Sequence, residues 1–290
     1  MNLDFLKRTK TSLINNSFYL YLSYFADYIL TLFLLPFIAR TIGAVEFGKI
    51  GLTQTFGLLI ILFMEFGSSL MATREVAKIK DDHIGLKKFV EKLTTFKIFL
   101  IPIALLASLL SIIYVPIFNN NPHYVAIVVF GAIFQGITPT WYFQGIEKMK
   151  IIALSKLFFR LIGFIIIIIY VKASIDAWIV LASFSLSSIL ICIYLYFEII
   201  KKLGLLTGAR LNQLKFIYAK SIPSFLITII PMFYQNISAI ILSVFANPLQ
   251  LGLYYGASRI YRAFNTLYSP VSQAFFPIIS SMTNQNKAES

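Results

Sequence analysis

The residues best suited to chemistry lie on one face of the last apolar segment of the sequence. Their spacing of 4, 3, 4, 3 and 4 residues places six polar side chains on a single helical face: Tyr255, Arg259, Arg262, Thr266, Ser269 and Gln273. An ionised group inside a bilayer costs about 2.5–3.5 kcal/mol on insertion scales, so it usually faces a protein interior or a water-filled cavity. The stripe therefore predicts a cationic, hydrated wall. The alternative is that Arg259 and Arg262 snorkel to the nearby outer interface.

Two acids lie in the first two apolar segments. Asp27 shares a helical face with Tyr24, Tyr28 and Thr31, and Glu65 is followed by small hydroxyl residues. Either carboxylate could take up and release a proton as its access changes, which predicts a role in ion coupling. The alternative is that either acid simply pairs with an arginine.

The segment before the arginine stripe carries a second polar stripe, spaced 3, 4, 3, 4 and 3: Ser221, Ser224, Thr228, Pro231, Gln235 and Ser238. Two such helices side by side would line a polar cleft. Small hydroxyl residues also serve as packing contacts between membrane helices, and the spacing fits both interpretations.

Composition requires these segments to lie in lipid. The chain has 290 residues, of which 58% are hydrophobic and 13% charged, with a mean hydropathy of +0.81. An apolar helix of about 20 residues spans the hydrocarbon core and satisfies its own backbone hydrogen bonds. We predict an all-α, polytopic transmembrane bundle with eight spans, at about 15–39, 48–72, 94–115, 124–144, 157–171, 177–197, 221–245 and 253–280.

Basic residues set the predicted orientation. Of the 25 lysines and arginines, 20 fall in the tail and loops on one side and 3 on the other, with Lys97 counted in the basic loop after span two. Because basic loops stay cytoplasmic, both termini are expected in the cytoplasm of a bacterium, and the protein in its inner membrane. The net charge of +13 is thus a topology signal, and nucleic acid is not expected as a partner.

The division of the chain is expected at a basic cytoplasmic linker, 201–220, between a first lobe at 1–200 with spans one to six and the start of a second lobe at 221–290. A weak internal echo supports this division. Glu46-Phe47-Gly48 resembles Gln250-Leu251-Gly252 at an offset of 204 residues. Repeated lobes of this kind occur in many transporters.

Enzymatic signals are nearly absent. His83 and His123 fall on opposite sides of the predicted membrane, so they cannot share a metal, and the lone Cys192 can form no intrachain disulfide. The sequence has no glycine-rich phosphate loop and no serine nucleophile motif. We therefore expect no enzyme activity, no cofactor and no metal site.

Three stretches together resemble the polysaccharide repeat-unit flippases called Wzx, the O-antigen translocases of the superfamily that also holds multidrug and toxin extruders. They are LPFIARTIG at 35–43 with EFG at 46–48, PTWYFQGIEKM at 139–149, and GLYYGASRI at 252–260 with AFFP at 274–277. The residues that carry the family motifs are Pro36, Arg40, Gly43, Gly48, Trp141, Gln144 and Gly145. The glycines suit tight interfacial turns, and Trp141 suits the headgroup belt.

The resemblance implies twelve or more helices in two six-helix lobes around a central cavity. The chain ends after span eight, so the second lobe is expected to be incomplete, and Gln235, Asn236 and Ser238 stand where relatives often have an acid. The implied cargo is an oligosaccharide linked to polyprenyl, usually undecaprenyl, pyrophosphate. Guanidinium groups suit such a head. The residues expected at the substrate cavity are Arg259, Arg262, Gln273, Gln235 and Arg40.

The leading hypothesis is a flippase that moves lipid-linked repeat units from the cytoplasmic to the outer leaflet by alternating access, for O-antigen or capsular polysaccharide. Its expected partners are the lipid-linked oligosaccharide, membrane lipids, and the polymerase and chain-length proteins of the same pathway. The alternative within the superfamily is a multidrug or cation extruder, which favours acids and aromatic residues in its cavity. A membrane polysaccharide polymerase or glycosyltransferase is the enzymatic alternative.

Overall fold

The computed structural model describes residues 18–19, 21–23, 30–209 and 214–261. Within these ranges every long element is a helix. The helices are α1 (Leu30–Glu65), α2 (Ser68–Lys78), α3 (His83–Tyr114), α4 (Pro116–Asn120), α5 (Pro122–Ile137), α6 (Thr140–Gly145), α7 (Met149–Tyr170), α8 (Ala177–Leu203), α9 (Leu214–Phe245) and α10 (248–261). A 3₁₀ turn at Ser174–Asp176 precedes α8.

Six segments of the described chain are long and apolar enough to cross a membrane. They confirm the prediction of an all-α, multi-pass membrane bundle. The first of them, Leu32–Lys78, holds predicted span two and the end of predicted span one, which are separated at Gly43 by non-helical backbone with a φ of 80° and a ψ of 163°. Only glycine adopts such angles readily. Predicted span eight is described as far as residue 261, and Asp27 in span one lies outside the described residues.

Two of the predicted spans are broken near one end. Span two breaks after Glu65, where Phe66 and Gly67 have φ values of 43° and 63°. Span four breaks at Thr138 and Pro139, between α5 and α6. The sequence interpretation had treated both spans as continuous.

Serines on α8 hold the helices of predicted spans four, five and six together. Ser185 Oγ donates to the carbonyl of Ile127 on α5 at 2.8 Å, and Ser187 Oγ donates to the carbonyl of Phe159 on α7 at 2.9 Å. Gly131 on α5 faces Ser185, where there is no room for a larger residue. Small residues at these crossings let the backbones approach closely, which is how membrane helices gain packing energy without a hydrophobic driving force.

The connection between α8 and α9 begins with residues that contact α3. Helix α8 continues to Leu203 and α9 begins at Leu214, so both helices extend into the predicted linker 201–220. The backbone N–H and hydroxyl of Thr207 both donate to Glu91 Oε1 on α3 at 3.1 Å. The backbone N–H of Ala209 donates to Thr95 Oγ1 at 3.0 Å. The start of the connection is therefore held against α3.

Candidate functional site

The N-terminal part of α10 packs directly on the second half of α1 through two glycines. A Cβ on Gly48 would lie 2.7 Å from the backbone nitrogen of Gly252, and one on Gly252 would lie 3.0 Å from the carbonyl carbon of Ala44. A side chain larger than hydrogen would push the helices apart at either position. Both glycines therefore serve a close helix–helix approach.

The two segments of the sequence echo are the segments that touch. Gly48 lies against Gly252, and Gly51 lies against the ring of Tyr255, each pair being 204 residues apart. One turn further along, Gln54 meets Arg259. Equivalent residues meet in this way when two similar elements pack about a local two-fold axis. The repeat of whole lobes stays a prediction.

Arg259 faces the N-terminal part of the protein. Its Nη2 donates to Gln54 Oε1 on α1, and the residue is partly buried between the two helices. A guanidinium has five N–H donors in a planar fork, so an arginine at a helix crossing can hold a protein acceptor and still offer donors to an anion. Arg259 thus lies in the contact between the two helices, and the hydrated wall stays a prediction.

Of the other predicted cavity residues, only Arg40 has a described side chain. Arg40 is exposed near the end of the first half of α1. Arg262 and Gln273 lie outside the described residues, and of Gln235 only the backbone, within α9, is described. Their part in a cavity stays a prediction.

Glu65 lies beside a buried lysine that the sequence interpretation had assigned to a loop. Lys97 is in α3, only 1% of it is exposed, and its Nζ donates to the carbonyl of Gly136 at 2.7 Å. Lys97 and Lys156 both attract the Glu65 carboxylate electrostatically. The placement of Lys97 in the loop was wrong, because α3 runs through it without a break.

The charged cluster of Glu65, Lys97 and Lys156 is located where the helix breaks at 66–67 and 138–139 meet. Glu65 ends α1 immediately before the left-handed Phe66 and Gly67, and Gly136 lies two residues before the break at Thr138. The negative end of the α5 dipole and the Glu65 carboxylate both favour the Lys97 ammonium. The bases near Glu65 are thus lysines rather than the arginine of the second alternative, and the coupling role of Glu65 stays a prediction.

The start of α9 packs on the same break. A Cβ on Gly67 would lie 2.6 Å from the Cα of Phe225, and the ring of Phe66 stacks on that of Phe225 with centroids 4.5 Å apart. Lys220 Nζ lies 3.2 Å from Glu75 Oε1 on α2. The described C-terminal helices thus contact the first part of the chain in two places, through α10 at Gly48 and through the start of α9 at Gly67.

The tryptophan motif is part of the core. Trp141 is fully buried, with its ring edge-on to Phe89 at 6.1 Å, so the expected place in the headgroup belt was wrong. Thr73 Oγ1 on α2 donates to Gln144 Oε1 at 3.2 Å. A Cβ on Gly145 would lie 2.6 Å from the Cβ of Val76. The motif therefore docks α6 on α2, which is a packing role that its apolar residues alone did not reveal.

Part of the first family motif, the EFG segment at 46–48, also has a structural role. Glu46 Oε2 accepts from the hydroxyl of Tyr124 at 2.9 Å, and its Oε1 accepts from Lys49 at 2.6 Å. These bonds hold the start of the second half of α1 against the start of α5. Pro36 lies exposed within α1, in the same helical turn as Arg40.

The comparisons with known proteins agree with the motif resemblance. The profile of the polysaccharide biosynthesis protein family matches residues 13–283. Two curated relatives carry the name "Putative O-antigen transporter". The relative from Escherichia coli (strain K12) is 30% identical over 97% of this chain and 68% of its own length. The relative from Shigella dysenteriae is 26% identical over 92% of this chain and 67% of its own length. No solved structure matches the chain at a significant level. Since the profile covers most of its length, the chain belongs to the polysaccharide biosynthesis protein family.

Proposed function

We propose that this protein exports polysaccharide repeat units, as oligosaccharides linked to polyprenyl pyrophosphate, from the cytoplasmic to the outer leaflet of the inner membrane. The observation that carries the proposal is the family match over 13–283, together with two relatives named for O-antigen transport. The chain spans about two thirds of the length of each relative. The proposed activity is transport without a chemical step.

Arg259 is the proposed ligand for the pyrophosphate head. Its guanidinium lies at the crossing of α1 and α10, partly shielded from solvent, where an anion is bound more strongly than in bulk water. Arg262 and Gln273 follow on the same predicted helical face, and we propose them with Gln235 and Arg40 as further contacts of the head and its sugars.

The test replaces Arg259 by Ala and by Lys in a strain that lacks its own repeat-unit exporter. Export to the cell surface should be abolished by Arg259→Ala and reduced by Arg259→Lys, because lysine lacks the bidentate fork. Arg74→Ala removes the same charge from an exposed position on α2 and should export normally. Normal export by Arg259→Ala would point to the drug extruder instead. Efflux of cationic dyes that persists when Arg259→Ala/Arg262→Ala has lost export would point the same way.

Alternating access is the proposed mechanism, with the first lobe at 1–200 rocking against the lobe that begins at 221. It requires the contact between Glu75 and Lys220, 3.2 Å apart at the predicted cytoplasmic end, to open in each cycle. A reducible bifunctional thiol reagent that joins the two cysteines of Glu75→Cys/Lys220→Cys should stop export until it is reduced. The two single cysteine variants serve as controls, and export that continues in the cross-linked protein would exclude this motion.

A proton gradient is the proposed driver, with Asp27 as the first residue to test. Asp27→Asn should remove the dependence of export on the gradient. An active variant that is still gradient-dependent would show that Asp27 has no coupling role. Glu65 is the second candidate, and its pairing with Lys97 makes a purely structural role the competing explanation.

A further inference from the structure

A cavity of about 250 Å³ opens between the ends of α6, α7 and α8, on the side of the molecule predicted to be cytoplasmic. Its charged lining consists of Lys148, Lys201, Lys202 and Glu198, an excess of two positive charges. Its volume is below the usual range for sites that enclose drug-sized ligands, about 300–1,000 Å³, so it is too small for an oligosaccharide repeat unit. It lies apart from Arg259 and plays no part in the proposed transport site.

One lysine of this cavity, Lys148, lies where the helix dipole disfavours a cation. Lys201 and Lys202 are in the last turn of α8, where the helix dipole favours a cation. Lys148 immediately precedes the first turn of α7, where the dipole disfavours one, and it is close enough to Lys202 to repel it. A bound anion would offset both unfavourable terms, and the N–H groups of the first turn of α7 suit an anion as well.

The wall of the cavity supplies a neutral donor and apolar surface. Tyr142 lines the cavity, its residue is 1% exposed, and its buried hydroxyl has no hydrogen-bond partner among the described residues. An unpaired buried hydroxyl is disfavoured by about 1–3 kcal/mol, which a ligand oxygen would recover. The remaining wall is apolar and made by Phe143, Ile146 and Ile151. Cations, one neutral donor and an apolar wall together match a phosphate attached to a lipid.

We propose that this cavity binds the phosphate of an anionic phospholipid of the inner leaflet, held by Lys148, Lys201 and Lys202 with Tyr142 as an additional donor. Basic pockets between transmembrane helices on the cytoplasmic side bind such headgroups, with about 1 kcal/mol from each basic residue. The turn that presents Lys148 is closed by its backbone N–H, which donates to the carbonyl of Phe143 at 2.8 Å. The site is independent of the proposed cargo.

The test measures thermal unfolding of the purified chain in detergent, by tryptophan fluorescence, while phosphatidylglycerol, phosphatidylcholine or inorganic phosphate is added. Phosphatidylglycerol alone should raise the midpoint. The triple variant Lys148→Ala/Lys201→Ala/Lys202→Ala should need at least about ten-fold more of it for half the effect. The matched triple Lys88→Ala/Lys150→Ala/Lys215→Ala removes the same charge from exposed lysines that do not line the cavity and should respond like the wild type.

Each response is measured against the lipid-free midpoint of the same variant, so a loss of basal stability does not affect it. Tyr142→Phe should weaken the response by about five-fold, close to the value of one hydrogen bond, without lowering the lipid-free midpoint. An equal loss in the matched triple, an equal effect of phosphatidylcholine, or an unchanged response in the cavity triple would overturn the proposal. A lysine-dependent shift with inorganic phosphate alone would reassign the cavity to a soluble anion. Repeat-unit export can persist in every one of these cases, so this test and that of the proposed function fail separately.

Discussion

The buried charge cluster at Lys97 gives the sharpest prediction of stability. Replacing Lys97 by Met keeps an unbranched chain of similar length but removes the donor to the Gly136 carbonyl, 2.7 Å away, and the positive charge beside Glu65. Leaving a buried acceptor unpaired costs about 1–3 kcal/mol, and more where the lost partner is charged. We therefore expect Lys97→Met to lower the free energy of unfolding by about 2 kcal/mol or more.

A double-mutant cycle separates this pairing from general damage to the core. Glu65→Gln alone should also be destabilising, but Lys97→Met/Glu65→Gln should lose at least about 1 kcal/mol less than the sum of the two single losses. Unfolding by sodium dodecyl sulfate in mixed micelles, followed by tryptophan fluorescence, measures all four proteins. Lys49→Met is the control, since Lys49 pairs with Glu46 in a partly exposed position and should lose only about 1 kcal/mol or less. Additive losses at Lys97 and Glu65, or a loss in Lys97→Met no larger than that of the control, would refute the reasoning.

Further predictions concern packing and the connection between α8 and α9. Gly145→Ala should destabilise the protein by about 1–3 kcal/mol, because the added methyl group overlaps Val76. Gly256→Ala is the control and should be neutral or slightly stabilising, since an added Cβ there meets nothing within 4 Å. Thermal unfolding measures both variants. Glu91→Gln should weaken the two bonds from Thr207 and speed hydrogen exchange at 204–209, while exchange along α5 serves as the internal reference and should not change.

Most of the membrane architecture could be predicted from sequence because lipid imposes one strong rule. A spanning segment must be a long apolar helix, so the runs of apolar residues predict the helices directly. Local backbone breaks follow a weaker rule. Gly67 could be read as a flexible position, but the left-handed Phe66 beside it has no sequence signal, since aromatic residues rarely adopt positive φ.

The roles of single polar residues were harder to predict, because they depend on which helices become neighbours. Helical spacing placed Arg259 on a wet face, but only the packing of α10 on α1 identifies Gln54 as its partner. Lys97 lay inside a predicted apolar span and would have stood out there as an intramembrane charge. Counting it with the adjacent loop hid that signal. Trp141 misled for a similar reason, since tryptophan suits both a membrane interface and a tightly packed core.

The two contacts between the C-terminal helices and the first part of the chain differ in a way that bears on the proposed motion. At Gly48 and Gly252 the backbones touch with no side chains between them, so this contact depends on close approach, and the bond from Arg259 to Gln54 adds to it. The contact at Gly67 includes the pair of Glu75 and Lys220, which is partly exposed at 22% and 41%, and pairs of that kind contribute about 0–1 kcal/mol. The electrostatic part of the second contact is therefore small, although the stacked ring of Phe66 adds packing to it. If the lobes rock as proposed, separation should begin at the Glu75 end, while the glycine crossing acts as the pivot until cargo occupies the site beside Arg259.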